Sequence, residues 1–463
     1  MLSPEKSAQL KSLLGMLPGP AAAKLARAVE IDRLAGGRML PHETIMDALR
    51  PALRGVEQAA RTPTPLRLFC RPFEDLIAEH PAKEKIKGRI ARASIAPVWS
   101  WLQKLIPAAA AAYAAEVTAL AVTQRSDGAL DHASAFWEEA AAALRGAIAK
   151  DRKAARIALC NDCVLGDAEE MALLLQVGPE LVEIQNLLPR PAAQLSEELL
   201  WSLREVHDRL VAKLPDAAPY VAVVAMGRLA RPWEALKLAQ LVSRRSEDTL
   251  IANTDMGLVG DLLFADIEQN GAAVRNARHP MFDVEALIEH LARFTEMSSS
   301  IVKEIDIRRD GKWGKRLLKD RAAVAETMEG FMERAPKEVA AMLPVQKNGS
   351  FGGGPKIADF SKPVDAEKAE RGLRYARLIV GCASYAATGS FAAAQKDALD
   401  EASQYLRAYN EDLVREMRAA EPARRAVIEH QFELAAELTA LLFSAEEADL
   451  LRRRAKAALA PAA

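Results

Sequence analysis

Aromatic residues make up only 5% of the 463 in this chain, and that scarcity removes whole fold classes. Sandwiches and barrels draw on aromatic and β-branched residues at alternating positions, and runs of that kind are hard to find here. Cysteine is sparse too. Cys70, Cys160, Cys163 and Cys382 are the full set, too few in a chain this long for a disulfide framework. Charge of one sign is not in excess: 62 Lys and Arg oppose 63 Asp and Glu, a formal net charge of −1, whereas a nucleic-acid binder is usually basic. Long apolar runs are missing as well. Leu105 to Val122 contains Pro107, Glu116 and mostly alanine, and Leu378 to Gln395 is interrupted by Gly381, Ser384, Gly389 and Ser390. Neither offers the ~20 predominantly apolar residues that span a bilayer. The opening MLSPEKSAQL has no apolar core behind basic residues, so nothing there reads as a secretory signal. The expectation is a cytoplasmic chain with no transmembrane segment.

What is present points to helices. The chain is 50% hydrophobic and 27% charged, ordinary for a folded protein and wrong for a disordered one. Much of the apolar share is alanine, the best helix former. The expected fold is all-α, a stacked α-hairpin or helical array with a separate C-terminal helical bundle.

The centre of that array runs from Ala217 to Asn270. No charge falls between Asp216 and Arg228, and Pro219 sits where a helix would begin, a position proline favours. Tyr220 through Met226 are apolar on every side, the mark of a helix buried all round. Arg231-Pro232 ends it, and Pro232 opens a second helix with Ala235, Leu238, Leu241 and Val242 on its apolar face. Thr254 and Asp255 are placed to cap a third, with Leu258, Val259, Leu262 and Leu263 facing inward and Asn270-Gly271 as its stop. The WEALKLAQ stretch superficially resembles one unit of a tetratricopeptide-type repeat. Its spacing does not recur at a period of about 34 residues, so no repeat family follows.

Around this centre the chain divides. Residues 1–60 read as an N-terminal helical segment and 66–343 as the central all-α domain, with RTPTP at 61–65 between them. One helix is expected over 132–160, with Phe136, Ala140, Leu144 and Ile148 at four-residue steps. Residues 344–364, QKNGSFGGGPKIADFSKP with its flanks, read as a glycine-rich linker, and 365–463 as a C-terminal helical bundle. Asp365 is placed to cap that bundle's first helix, and Ser444 with Glu447 fits a capping box.

Candidate chemistry is thin. Cys160-Asn161-Asp162-Cys163 is a C-x-x-C, but it lacks the strand-then-helix context of a redox pair and the two further ligands of a zinc site. The plainer reading is two small buried residues at a helix junction. His207-Asp208 resembles the dyad of metal-dependent phosphohydrolases, chemistry that needs further histidines and an aspartate converging on metal. The other histidines are scattered. Asp255, Asp261 and Asp266 lie on or near the third central helix, with the last two turned apart at 3.6 residues per turn. GSFGGGPK has Pro355 after its last glycine, where a phosphate-binding loop needs lysine. No cofactor signature is present.

Two basic segments remain. Lys83, Lys85, Lys87, Arg89 and Arg92 precede Trp99, and Arg308, Arg309, Lys312, Lys315, Arg316 and Lys319 surround Trp313. Cations interleaved with an aromatic hold phosphate backbones or anionic headgroups. The reading that fits best is a non-enzymatic helical scaffold or adaptor that binds a protein partner, with homo-oligomerisation open. The alternatives are a metal-dependent helical enzyme acting on a phosphorylated or anionic small molecule, centred on His207, Asp208 and Asp255, and peripheral binding to anionic membrane or nucleic acid.

Overall fold

A computed structural model describes residues 10, 13–14, 17–34, 40–53, 64–79, 84–123, 129–244, 251–277, 281–347, 356–359, 363–419 and 425–459. The fold is all-α. Two compact units follow one another, Met1–Val242 and Ser243–Ala463. The GSFGGGP run, Lys83 and Gly36-Gly37 lie outside the described residues.

In the first unit, α1 (Gly19–Leu34) and α2 (His42–Leu53) pair through Ala22, Ala26, Val29, Ile45 and Leu49. After α3 (Pro65–Phe69) and a 3-10 turn over Arg71–Leu76, β1 (Ile77–Ala78) and β2 (Ile90–Ala91) make a two-residue parallel pairing. Then come α4 (Arg92–Leu105), α5 (Pro107–Thr123), α6 (Ala129–Lys150), α7 (Arg152–Leu159), α8 (Asp162–Leu175), α9 (Gly178–Leu187), α10 (Glu197–Lys213), α11 (Tyr220–Arg228) and α12 (Ala235–Ser243). Phe136, Ala140, Leu144 and Ile148 are buried on α6 as their spacing requires. The single helix expected over 132–160 is two, because the Asp151 carboxylate accepts from Ala154 N at 2.9 Å and starts α7 afresh.

Helix α11 carries the centre of this unit. Tyr220 through Met226 are all buried, with α9, α10 and the 3-10 turn at Arg71–Leu76 packed around them. An α-helix with no polar face is driven inside by the apolar surface it would otherwise leave in water.

The second unit holds α13 (Gly257–Asn276), α14 (Val284–Glu304), α15 (Lys312–Met342), β3 (Val345–Lys347), β4 (Lys356–Ala358), α16 (Ala366–Gly381), α17 (Ala383–Ala386), α18 (Ala392–Ala419), α19 (Arg425–Leu442) and α20 (Ala445–Leu459). The long α15 is its spine, packing on α13, α16 and α18. Asp365 caps α16 through Glu367 N at 3.0 Å, and Ser444 caps α20 through Glu447 N at 3.1 Å.

Two expectations give way here. Asn270-Gly271 does not stop α13, which runs on to Asn276. Gly271 is buried close to the Phe294 ring of α14, so its small size serves helix packing rather than termination. Thr254 and Asp255 do not cap α13 either: the Thr254 hydroxyl donates to Ile251 O at 2.7 Å, and Met256 stands at the cap without a side-chain bond. In 344–364, the described ends pair as an antiparallel ladder, Val345 opposite Ala358 and Lys347 opposite Lys356. The helices before and after that ladder pack together, and Tyr405 of α18 donates to Leu343 O at 3.0 Å. The boundary between the two compact units falls at 242/243.

One close approach sets the spacing of α13 and α15. A Cβ at Gly260 would sit 2.1 Å from the Trp313 ring, so only glycine admits the indole. Gly260→Ala is expected to cost about 1–3 kcal/mol of overpacking, read as a lower denaturant midpoint for the second unit.

Candidate functional site

The first basic segment is turned inward. Lys85 ion-pairs with Asp167 of α8 at 2.5 Å and with Glu170, and also donates to Arg89 O. Glu170 in turn accepts from Gly88 N at 2.6 Å and from the Tyr220 hydroxyl, while the second Asp167 oxygen takes Ala91 N at 3.1 Å. Gly88 has φ 84, a left-handed turn that glycine adopts without strain. That turn is what lets one lysine and two backbone amides meet two carboxylates, with Arg89 O accepting from the same lysine. Burial first, and the neighbouring Glu170 charge second, push the Tyr220 phenol well above its ordinary value. It remains a neutral donor. Arg92 is held by both oxygens of Glu79, at 2.7 and 2.8 Å. Lys87 is exposed and Arg89 half-buried. Trp99 belongs to an aromatic cluster, its ring 5.0 Å from Phe69 and 6.0 Å from Phe136.

A second buried network lies at the other end of α11. The Asp75 side chain is wholly buried and takes both oxygens to Arg228, at 3.0 and 3.1 Å. Gln185 Nε2 adds a bond to Asp75 at 3.1 Å and one to Arg71 O at 2.8 Å. Arg228 Nε donates to Leu188 O at 2.6 Å. Burial raises the neighbouring Glu74 carboxyl above its ordinary range, against the opposing pull of Arg71. Helix α11 is therefore tied by a tyrosine at its start and an arginine at its end.

His207 and Asp208 do share a contact, His207 Nδ1 to Asp208 Oδ1 at 3.2 Å, but the imidazole is buried and the aspartate exposed, where it also pairs with Arg204 at 3.6 Å. Asp255 is exposed and belongs to the second unit. Among the described residues, no group of three or more His, Cys, Asp or Glu side chains is placed to hold a metal ion.

The cysteine pair departs from the buried-junction reading. Cys160 ends α7 in a left-handed conformation, φ 61, and is exposed. Asn161 follows with extended backbone and caps α8 by accepting from Cys163 N at 2.6 Å. Cys163 is half-buried on the first turn of α8.

The second basic segment splits across two faces of one helix. Trp313 is buried at 1% exposure, and its Nε1 donates to Asp261 at 2.9 Å. Lys312 pairs with Asp261 at 3.0 Å, and Arg316 with Asp261 and Glu268 at 3.2 and 2.8 Å. Arg308 pairs with Asp310 at 3.4 Å. Arg309, Lys315 and Lys319 are exposed.

One exposed feature was not singled out from the sequence. Trp201 on α10 is 55% exposed, with the Arg204 guanidinium over its ring at 5.3 Å. The inward face of α10 is Leu203, Val206, His207 and Leu210. Trp201 lies off that stripe, and this was the available signal.

Two outcomes follow. Lys85→Met leaves Asp167 and Glu170 buried without a counter-charge, a loss expected to cost about 3–5 kcal/mol in chemical denaturation. The thiols separate by burial, which pushes Cys70 and Cys382 up to about 12. A neutral buried thiol stabilises fully below the ordinary thiol value, and that contribution is lost as pH rises through about 12. Stability should therefore fall on the alkaline side of pH 9.0, with Cys160 reacting with a thiol reagent at neutral pH and Cys70 and Cys382 only on unfolding. No protein family, no curated protein and no solved structure matches this chain.

Proposed function

We propose that this chain is a non-enzymatic helical adaptor that docks a protein partner on the exposed face of α10. One observation carries the reading: an indole left in solvent with an arginine laid over it. Tryptophan and arginine dominate binding hot spots because each brings a large contact area together with directional donors. Arg204 is also paired with Asp208, so the patch is ordered before a partner arrives and loses less side-chain freedom on docking. Val211, 46% exposed, stands ten residues along and about 80° round the helix from Trp201, at the flank of the patch. The matching partner surface is an apolar pocket for the indole with a carbonyl or carboxylate rim for the guanidinium.

The enzyme alternative draws little from this geometry, since the His207 imidazole is buried while Asp208 turns to solvent. The comparison that tests the adaptor reading is affinity capture with wild-type chain and with Trp201→Ala, matched for helical circular dichroism. A partner held by the wild type should fall about 30-fold in affinity on Trp201→Ala, the effect of a hot spot of about 2 kcal/mol. Unchanged retention of every captured protein would sink the assignment to α10.

A further inference from the structure

The surface around α10 carries more negative charge than it neutralises. From α9 to the turn after α10, residues 178–217, seven Asp and Glu stand against four Lys and Arg, and all four cations are engaged. Arg190 pairs with Asp75 at 3.4 Å, Arg204 with Asp208 at 3.6 Å, Lys213 with Glu180 at 2.6 Å, and Arg209 with Glu183. Glu197, Glu198 and Glu205 form no ion pair with any described residue. The helix dipole favours acids at an N-terminus, which accounts for Glu197 and Glu198 in the first turn of α10. Glu205 lies two turns on and has no such reason. It acts electrostatically on Arg209, whose guanidinium is already bonded to Glu183.

Helical geometry sets these carboxylates around the exposed indole. Measured from Trp201, Glu205 lies about 40° and Glu198 about 60° to one side, Asp208 about 20° and Glu197 about 40° to the other, and all are exposed. Arg204, about 60° round on that second side, brings positive charge there and is paired with Asp208. The side of Glu198 and Glu205 is left acidic. We infer that the partner docked on α10 is a basic protein segment. An apolar side chain of that segment covers the indole, and lysines or arginines stand opposite Glu198 and Glu205, while the Arg204 side keeps its carbonyl or carboxylate rim. The inference rests on the docking face proposed above and gives its partner a chemistry. Opposite charge at the rim of an interface speeds encounter and rejects wrong partners, and a cation laid on an indole adds to the contact. An acidic face repels anionic lipid and nucleic acid alike, which leaves a cationic protein as the fitting occupant.

Fluorescence anisotropy with the full chain tests it, using a labelled peptide of lysine, leucine and serine beside a counterpart with glutamate for lysine. The chain should bind the lysine peptide, leave the glutamate peptide free, and release the first as salt rises. Glu198→Gln with Glu205→Gln should weaken binding about tenfold, and Trp201→Ala at least as much. Glu326→Gln with Glu329→Gln, at exposed carboxylates of α15, should leave it unchanged. Every substituted position is exposed, so the variants should keep the wild-type circular dichroism. The inference is overturned if the lysine peptide does not bind, if the glutamate peptide binds as tightly, or if the α15 pair weakens binding as much as the α10 pair. Its failure is distinguishable from failure of the docking reading. A captured protein lost on Trp201→Ala but held at full affinity by Glu198→Gln with Glu205→Gln would keep α10 as the docking face and remove the basic partner.

Discussion

An apolar helix enclosed on all sides has a physical problem of its own: nothing in its hydrophobicity says which way round it should sit. The residues Tyr220 to Met226 bury equally well at any rotation, because apolar burial is non-directional. Packing detail supplies part of the answer. The rest comes from the two polar groups at the helix ends, the Tyr220 hydroxyl on Glu170 and the Arg228 guanidinium on Asp75. Each has one place where its hydrogen bonds are satisfied. Together they fix the rotation and the axial register of α11, and with it the elements packed around it.

Buried ion pairs are poor evidence for net stability, since desolvation offsets much of the attraction. Their role here is better seen in what they connect. Lys85, Gly88 and Ala91 come from one short loop, Asp167 and Glu170 from α8, and Tyr220 from α11. Asp75 likewise gathers Gln185 of α9 and Arg228 of α11. Carboxylates with several fixed donors tolerate few alternative arrangements. An apolar core of alanine, leucine and valine would accept several.

These networks explain how much could be read in advance. The all-helical class, the enclosure of Tyr220–Met226 and the Asp365 and Ser444 caps all rest on local pattern, which a single chain displays. The acidic partners of Lys85 lie more than 80 residues away, and nothing local marks them, so a structural lysine looked like part of a binding surface. The Trp313 segment was confounded differently. Trp313, Leu317, Val324, Met328 and Phe331 form one buried stripe of α15, and the exposed Lys315 and Lys319 lie on another face. Reading them as one cluster ignored the helical period that separates them. The stretch 344–364 was read by composition alone, and composition does not display the pairing of Val345–Lys347 with Lys356–Ala358 at its described ends.

A local rule broken inside a protein and the same rule broken at its surface carry different meanings. The charges buried around α11 violate the expectation of an apolar core, yet each is met by opposite charge and by backbone donors or acceptors, so the violation is complete as architecture. The same holds for Lys312 and Arg316, set against the α15 dipole but answered by Asp261 and Glu268. Trp201 is a different case: a large indole left in water, with the Arg204 guanidinium laid over its ring. Folding gains little from leaving that ring exposed. Natural sequences concentrate such departures where something other than folding is served, and that is the ground on which α10 is proposed as a docking face.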